Sequence, residues 1–477
     1  MKDSTFSTEI PQLLQALMEL IEAHRAAFRQ ERTYRRAVGL VFGELFSFAR
    51  HTVTQGLLAL GLTDGDWSAW YRLFSRERFD EERLASCLIA ETLAHVPETE
   101  LYVIATDGVQ VPRSSGKIPG ASWLKAPRTP VFRKGIHRAQ RFLHGAWLTP
   151  LAEGFARAIP LRFLPAFTEK AVPSVASPCR EWQAGLQFVA WVRGQLDQLA
   201  RASQEILLVA DGSYDVLDFW RGLPERTIAA IRCAKNRVLY ELPGSYAGLG
   251  RPASYGERAP TPGEWPSQRQ GWSQIIVKVR GRQQKMRYRL LGPYLREGNP
   301  DRPLFLLVVG GQTWWADKSH TRRKVRKPAF YLISARQAEN GHWQLPLSIE
   351  IILTWLWQRW EVEVAHREMK SGFGVGQKQC WTPRSAIVSV QWSVWVYAVL
   401  LLAGYRAWGL LGGPPTLARW WPGAKRWSLT TLWRGYRSAL WGSPDFRAIW
   451  TGTGDNWLKK EAWLAGLHNA VHAAARI

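Results

Sequence analysis

Apolar residues recur at helical spacing over the first part of the chain. Between 10 and 29 the positions Leu13, Leu14, Leu17, Leu20 and Ile21 share one side of a helix. The period continues over 32–60, with a basic entry at Arg32, Arg35 and Arg36, and a further helix is predicted over 82–95. The period then changes. Residues 101–106 (LYVIAT) form a short apolar run of strand formers that ends at Asp107-Gly108. Residues 205–210 (EILLVA) form a second such run, ending at Asp211-Gly212. Between the two runs, 111–140 reads as a basic loop, 142–151 and 156–164 as strands, and 181–201 as an amphipathic helix. A helix over 214–221 and a strand over 227–232 follow. Strands alternating with helices predict an α/β fold with parallel neighbours.

Residues 235–300 are dense in Pro, Gly and Arg, and strand alternation returns at 273–279, 285–291, 302–309 and 329–334. This reads as a β-rich insertion with mobile, basic loops. Helix resumes over 348–370 and stops at Gly372, Gly374 and Gly376. Residues 385–405 carry no charge and are long enough to span a bilayer, yet they contain Ser, Gln and Gly. A buried core helix fits them, since such helices are apolar all round. The predicted layout is a helical region (1–97), the first part of an α/β domain (98–234), the insertion (235–344), the second part of that domain (345–410) and a basic, Trp-rich tail (411–477).

Charge changes the picture more than bulk composition does. The chain has 477 residues, 46% of them hydrophobic, an ordinary globular balance. Lys plus Arg total 63 against 39 acids, a net charge of +24, and a field of that sign draws polyanions, nucleic acid first. Basic clusters at 133–141, 318–327 and 419–437 are natural DNA tracks. The 4 cysteines form no CxxC pair, which offers neither a zinc signature nor a disulfide framework. The N-terminus lacks a signal-peptide apolar core, so a cytoplasmic, nucleoid-associated protein with no membrane segment is expected.

The candidate chemistry rests on carboxylates. Asp107 and Asp211 each follow a buried strand, and the carboxyl ends of parallel strands are where sites are built. Two adjacent strands would bring these like charges close together, which favours a cation between them. An all-oxygen site suits Mg²⁺ or Mn²⁺. An Asp-Gly turn after a strand is the alternative reading of either aspartate. In the helix over 348–370, spacings of four and seven place Arg359, Glu363 and Lys370 on one stripe, with Glu361 and Glu368 off it. A solvated ion pair is the alternative there.

The 348–370 segment resembles the signature of the insertion-sequence-four superfamily of DDE transposases: Tyr, two residues, Arg, three residues, Glu, six residues, Lys. Arg359, Glu363 and Lys370 match it, while Leu356 stands at the Tyr position. The text VADGSYDVLDFW and the 152-residue gap from Asp211 to Glu363 also fit that superfamily. The resemblance implies an RNase H-like catalytic domain with a β-rich insertion. Asp107, Asp211 and Glu363 would be the catalytic, metal-binding triad, holding two Mg²⁺ or Mn²⁺ ions that activate the nucleophile and stabilise the leaving 3′-oxygen. Arg359 and Lys370 would grip phosphates. DNA contacts are also expected from Arg138, Arg141, Arg322 and Arg323, and from Trp314 or Trp315 stacking on a flipped base. His137, His144 and His366 are expected to be structural or to contact phosphate. The implied activity is cut-and-paste transposition on double-stranded terminal repeats and target DNA, by a homodimer. A nuclease without strand transfer and a degenerate DNA-binding protein remain alternatives.

Overall fold

The computed structural model describes residues 12–47, 50–62, 65–127, 135–245, 248, 251–315, 323–413 and 426–442. Helices come first: α1 (Gln12–Ala23), α2 (Glu31–Phe46), α3 (Val53–Ala59), α4 (Ser68–Ser75) and α5 (Glu81–Leu93). Strands β1 (Tyr102–Pro112), β2 (Ser122–Lys125), β3 (Ile136–Leu148) and β4 (Ala158–Pro165) follow. Then α6 (Glu181–Gln198) leads to β5 (Ile206–Ala210), and α7 (Leu217–Gly222) to β6 (Thr227–Arg232). The next stretch holds β7 (Ser273–Val279), β8 (Arg282–Arg296), β9 (Asn299–Val309), β10 (Gln312–Trp315), β11 (Arg323–Arg326) and β12 (Ala329–Ser334). A small hairpin, β13 (Arg336–Gln337) and β14 (Trp343–Gln344), precedes α8 (Ile349–Gln358), α9 (Trp360–Arg367), α10 (Pro383–Trp408) and α11 (Leu429–Gly442).

One sheet of ten strands runs β2-β3-β1-β5-β6-β12-β9-β8-β7, with β4 also paired to β3. Its centre, β4-β3-β1-β5-β6, is antiparallel on one side of β1 and parallel on the other, the arrangement of the RNase H-like domain expected from the sequence. All five residues of β5 are buried, because a strand covered on both faces reads as an unbroken apolar run.

Four local expectations change. β1 does not stop before Asp107: it runs to Pro112, because β3 pairs with it from Ile104↔Trp147 to Pro112↔Ala139. Much of the predicted loop over 111–140 is therefore strand, with β2 and the start of β3 paired to each other. The strands predicted within 273–334, read from the sequence as a β-rich insertion, take places in the main sheet. β12 joins β6, and β9, β8 and β7 extend the same sheet. The helix over 348–370 is not continuous. It breaks into α8 and α9 at Arg359 and ends in a π-turn, Glu368–Gly372.

The uncharged helix α10 begins at a Thr382 cap with Pro383 in its first turn, and stops at Gly409, whose φ is 63°. It is long and apolar enough to cross a membrane, yet 94% of its most apolar window is buried inside the protein. It packs against α1, α4, α5 and β4, so it is a core helix that joins the N-terminal helices to the sheet. From the basic tail, α11 packs on α1, α2 and α10, and Arg437 donates to the carbonyls of Leu45 and Ser47 at the end of α2. That arginine caps a helix.

Candidate functional site

β1 and β5 are parallel neighbours up to the pair Thr106↔Ala210, so the next residues, Asp107 and Asp211, lie side by side. Asp211 caps a short 3₁₀ turn, accepting the backbone N–H of Ser213 at 2.9 Å and its hydroxyl at 2.6 Å. Glu181, the first residue of α6, completes a cluster: Asp107, Glu181 and Asp211 each offer a carboxylate oxygen within 4.8 Å of the others. Three full charges that close would repel by roughly 3 kcal/mol per pair at an effective dielectric constant of about 20. At Asp107 that repulsion adds to a larger effect of burial. Burial, opposed by Arg359 and reinforced by Asp211, Glu181 and Glu363, pushes its carboxyl up to about 7.

Glu363 approaches from α9 and is tied in through a cation. Arg359 donates to Glu363 at 2.7 Å and to Asp107 at 3.5 Å. The break between α8 and α9 falls at this arginine, yet the i,i+4 spacing survives. The acids set aside by helix geometry are engaged elsewhere. Glu361 is buried between Arg280 (3.2 Å) and Arg426 (2.9 Å), and Glu368 accepts from Arg157 (2.6 Å) and Tyr397 (2.7 Å). Asp215, close to Asp211 in sequence, is neutralised by Arg296 at 2.8 Å and by Arg237. The acids left facing one another are Asp107, Glu181, Asp211 and Glu363.

The donor set fits a hard divalent cation: the clustered groups are all carboxylates. The backbone leaves room for them too, since a Cβ on Gly108 would overlap the Glu181 carboxylate.

Lys370 lies in the π-turn, off the 3.6-residue stripe; burial, helped by the charge of Lys370, pulls His366 down to about 3. Leu356, at the tyrosine position of the signature, is buried in α8. Beside Arg359 a cleft of about 490 Å³ is lined by Arg232, Arg280, Arg326, Lys327 and Tyr331. Arg141 pairs with Glu181, while Arg138 stacks on the exposed ring of Trp123 at 4.7 Å. Arg323 is exposed on β11. The backbones of Trp314 and Trp315 pair with Lys324 and Arg323, but their side chains and Arg322 lie outside the described residues.

His144 and His366 face each other at 4.9 Å, and His144 is fully buried with neither ring nitrogen hydrogen-bonded. Burial holds the pKa of His144 well below its usual value, so both rings are neutral packing groups. His137 bonds Gln110 at 2.6 Å. Sequence reasoning missed Glu181. An acid opening an amphipathic helix carries no local mark, because acids are common in first turns.

No curated protein matches the chain. Among solved structures, the piggyBac transposase synaptic complex with hairpin DNA aligns with 95% of this chain and 86% of its own, at 11% identity and a TM-score of 0.35. A family model described as DDE superfamily endonuclease matches residues 17–293, a span that contains Asp107, Glu181 and Asp211 and ends before Glu363. Since that match covers more than half of the chain, the protein belongs to the DDE superfamily endonucleases.

Proposed function

We propose that the protein is a DNA transposase of the insertion-sequence-four-like kind, cutting the ends of a mobile element and joining them to target DNA through Asp107, Asp211 and Glu363. The observation that carries this reading is the side-by-side placement of Asp107 and Asp211 where the parallel pairing of β1 and β5 ends, with Arg359 linking Asp107 to Glu363. Membership of the DDE superfamily implies a divalent cation, and Mg²⁺ or Mn²⁺, as two ions, is the proposed identity. A cation bound there polarises a phosphoryl oxygen and raises the nucleophilicity of water or a 3′-hydroxyl.

The protein's own groups position the DNA. Arg359 is held by two acids of the site, so a phosphate entering beside them meets a guanidinium already in place, suited to forked hydrogen bonds. The basic cleft next to it offers a path for the backbone of one strand, and the net charge of +24 supplies long-range attraction. Lys370, Arg138, Arg141 and Arg323 are proposed phosphate contacts. The proposed working form is a homodimer that pairs two ends, acting on the nucleoid of a bacterial cell.

The test is cleavage and joining by the purified full chain on DNA carrying the ends of its element, with Mg²⁺. Asp107→Ala, Asp211→Ala and Glu363→Ala should each abolish cleavage and leave DNA binding intact. Undiminished cleavage by one variant removes that residue from the site. Cleavage without 3′-hydroxyl joining leaves a nuclease, and binding without cleavage leaves a degenerate DNA-binding protein.

A further inference from the structure

We infer that Glu181 is a fourth carboxylate of the cation centre and ligates the ion directly together with Asp107 and Asp211. This rests on the reading of the site as a divalent-metal centre and adds a residue that the three-acid pattern does not contain. Glu181, and not Glu363, shares the 4.8 Å cluster with the two aspartates. Its side chain is 9% exposed, whereas its partner Arg141 is 43% exposed, so the arginine screens the outer side of the carboxylate and leaves the inner side facing the aspartates.

Each carboxylate has a donor of its own: Arg359 reaches Asp107, the Ser213 N–H reaches Asp211 and Arg141 reaches Glu181. The Ser213 hydroxyl lies 2.6 Å from Asp211 Oδ1 and 2.8 Å from Glu181 Oε1, but it has one proton to give. The fully buried Tyr214 feels all three of these charges, and its hydroxyl has the Thr106 hydroxyl as its neighbour. Burial, with the charges of Glu181, Asp107 and Asp211, holds that phenol well above its usual pKa, so it stays a neutral hydroxyl and adds no further charge to the cluster. The Cβ-free surface of Gly108 gives Glu181 the room to reach this position. An ordinary helix-start acid would turn to water. This one is folded inward against two aspartates, and a bound cation would offset the repulsion that Arg141 and Arg359 neutralise only in part.

The alternative role is structural: Glu181 as the partner of Arg141. The two roles predict opposite signs. Mn²⁺ alone is titrated into the full chain by calorimetry, with free ion followed by electron paramagnetic resonance. Glu181→Gln should weaken Mn²⁺ binding at least tenfold, or remove one ion from the stoichiometry. Arg141→Gln, which deletes a competing cation, should leave Mn²⁺ binding equal to or tighter than that of the unmodified protein. Gly108→Ala, which displaces the carboxylate, should weaken it as Glu181→Gln does. Unchanged Mn²⁺ affinity in Glu181→Gln overturns the inference, as does equal weakening in Glu181→Gln and Arg141→Gln. If the unmodified chain binds no Mn²⁺, the metal-centre reading itself fails. If Asp211→Asn abolishes binding while Glu181→Gln does not affect it, only the role of Glu181 fails.

Discussion

Replacing Asp107 with asparagine should make the cation-free protein more stable, although it removes the residue at the centre of the site. Burial and the neighbouring acids raise this carboxyl from 3.8 to about 7. Roughly three pH units at about 1.4 kcal/mol each make its ionisation cost about 4 kcal/mol of folding stability above pH 7. The sign follows from counting protons. Between 3.8 and about 7 the folded state keeps a proton that the unfolded state has lost, so stability falls as pH rises through that window. The variant also gives up the 3.5 Å contact to Arg359, so the gain is smaller than the full penalty. Urea denaturation in EDTA reads it out: the variant should have the higher midpoint at about pH 8, and the advantage should shrink at about pH 5. Adding Mn²⁺ should reverse the order, because a ligand that binds the folded state stabilises only the protein able to hold it. An Asp107→Asn protein no more stable than the parent at about pH 8 in EDTA would refute the claim that burial and the neighbouring acids make this carboxylate costly to ionise without an ion.

Glu361 and Glu363, two residues apart, should respond in opposite ways. Glu361→Ala leaves Arg280 and the largely buried Arg426 without their shared partner and should cost about 3–5 kcal/mol in chemical denaturation. Glu363→Ala, at a side chain 34% exposed, should cost less than about 1 kcal/mol and abolish cleavage. Acid should unfold the protein partly through His24, which is buried against Trp395 and held down to about 4. Below 6.5 the unfolded chain takes up a proton that the folded one refuses, so about 3 kcal/mol of stability is lost as pH falls toward 4. His24→Phe should flatten that part of the pH profile, and an unchanged profile would exclude His24 as its source.

Much of the site was legible in the sequence because its signals are local. An apolar run of strand formers followed by Asp-Gly marks Asp107 and Asp211 as candidates, although β1 itself continues past Asp107 to Pro112. The four-residue step from Arg359 to Glu363 carries its own geometry and survives the break at Arg359. Helix rotation alone separated Glu363 from Glu361 and Glu368, and both of these proved to be engaged by buried arginines or hydroxyls. The 385–405 run was readable as a core helix from its composition.

Other features depend on which element covers which. Periodicity records that one face of an element is buried, but not the neighbour that buries it. Whether β12 to β7 form a separate layer or extend the sheet depends on backbone hydrogen bonds between strands far apart in the chain, which no local pattern encodes. The same holds for Arg437, whose carbonyl partners lie 392 and 390 residues away. Glu181 is the sharpest case. Its residue type, its place at a helix start and its amphipathic surroundings are the same whether it faces water or two aspartates. Only the packing of α6 against β3 and β1 determines which charges it meets, and therefore whether it is a surface acid or part of the site.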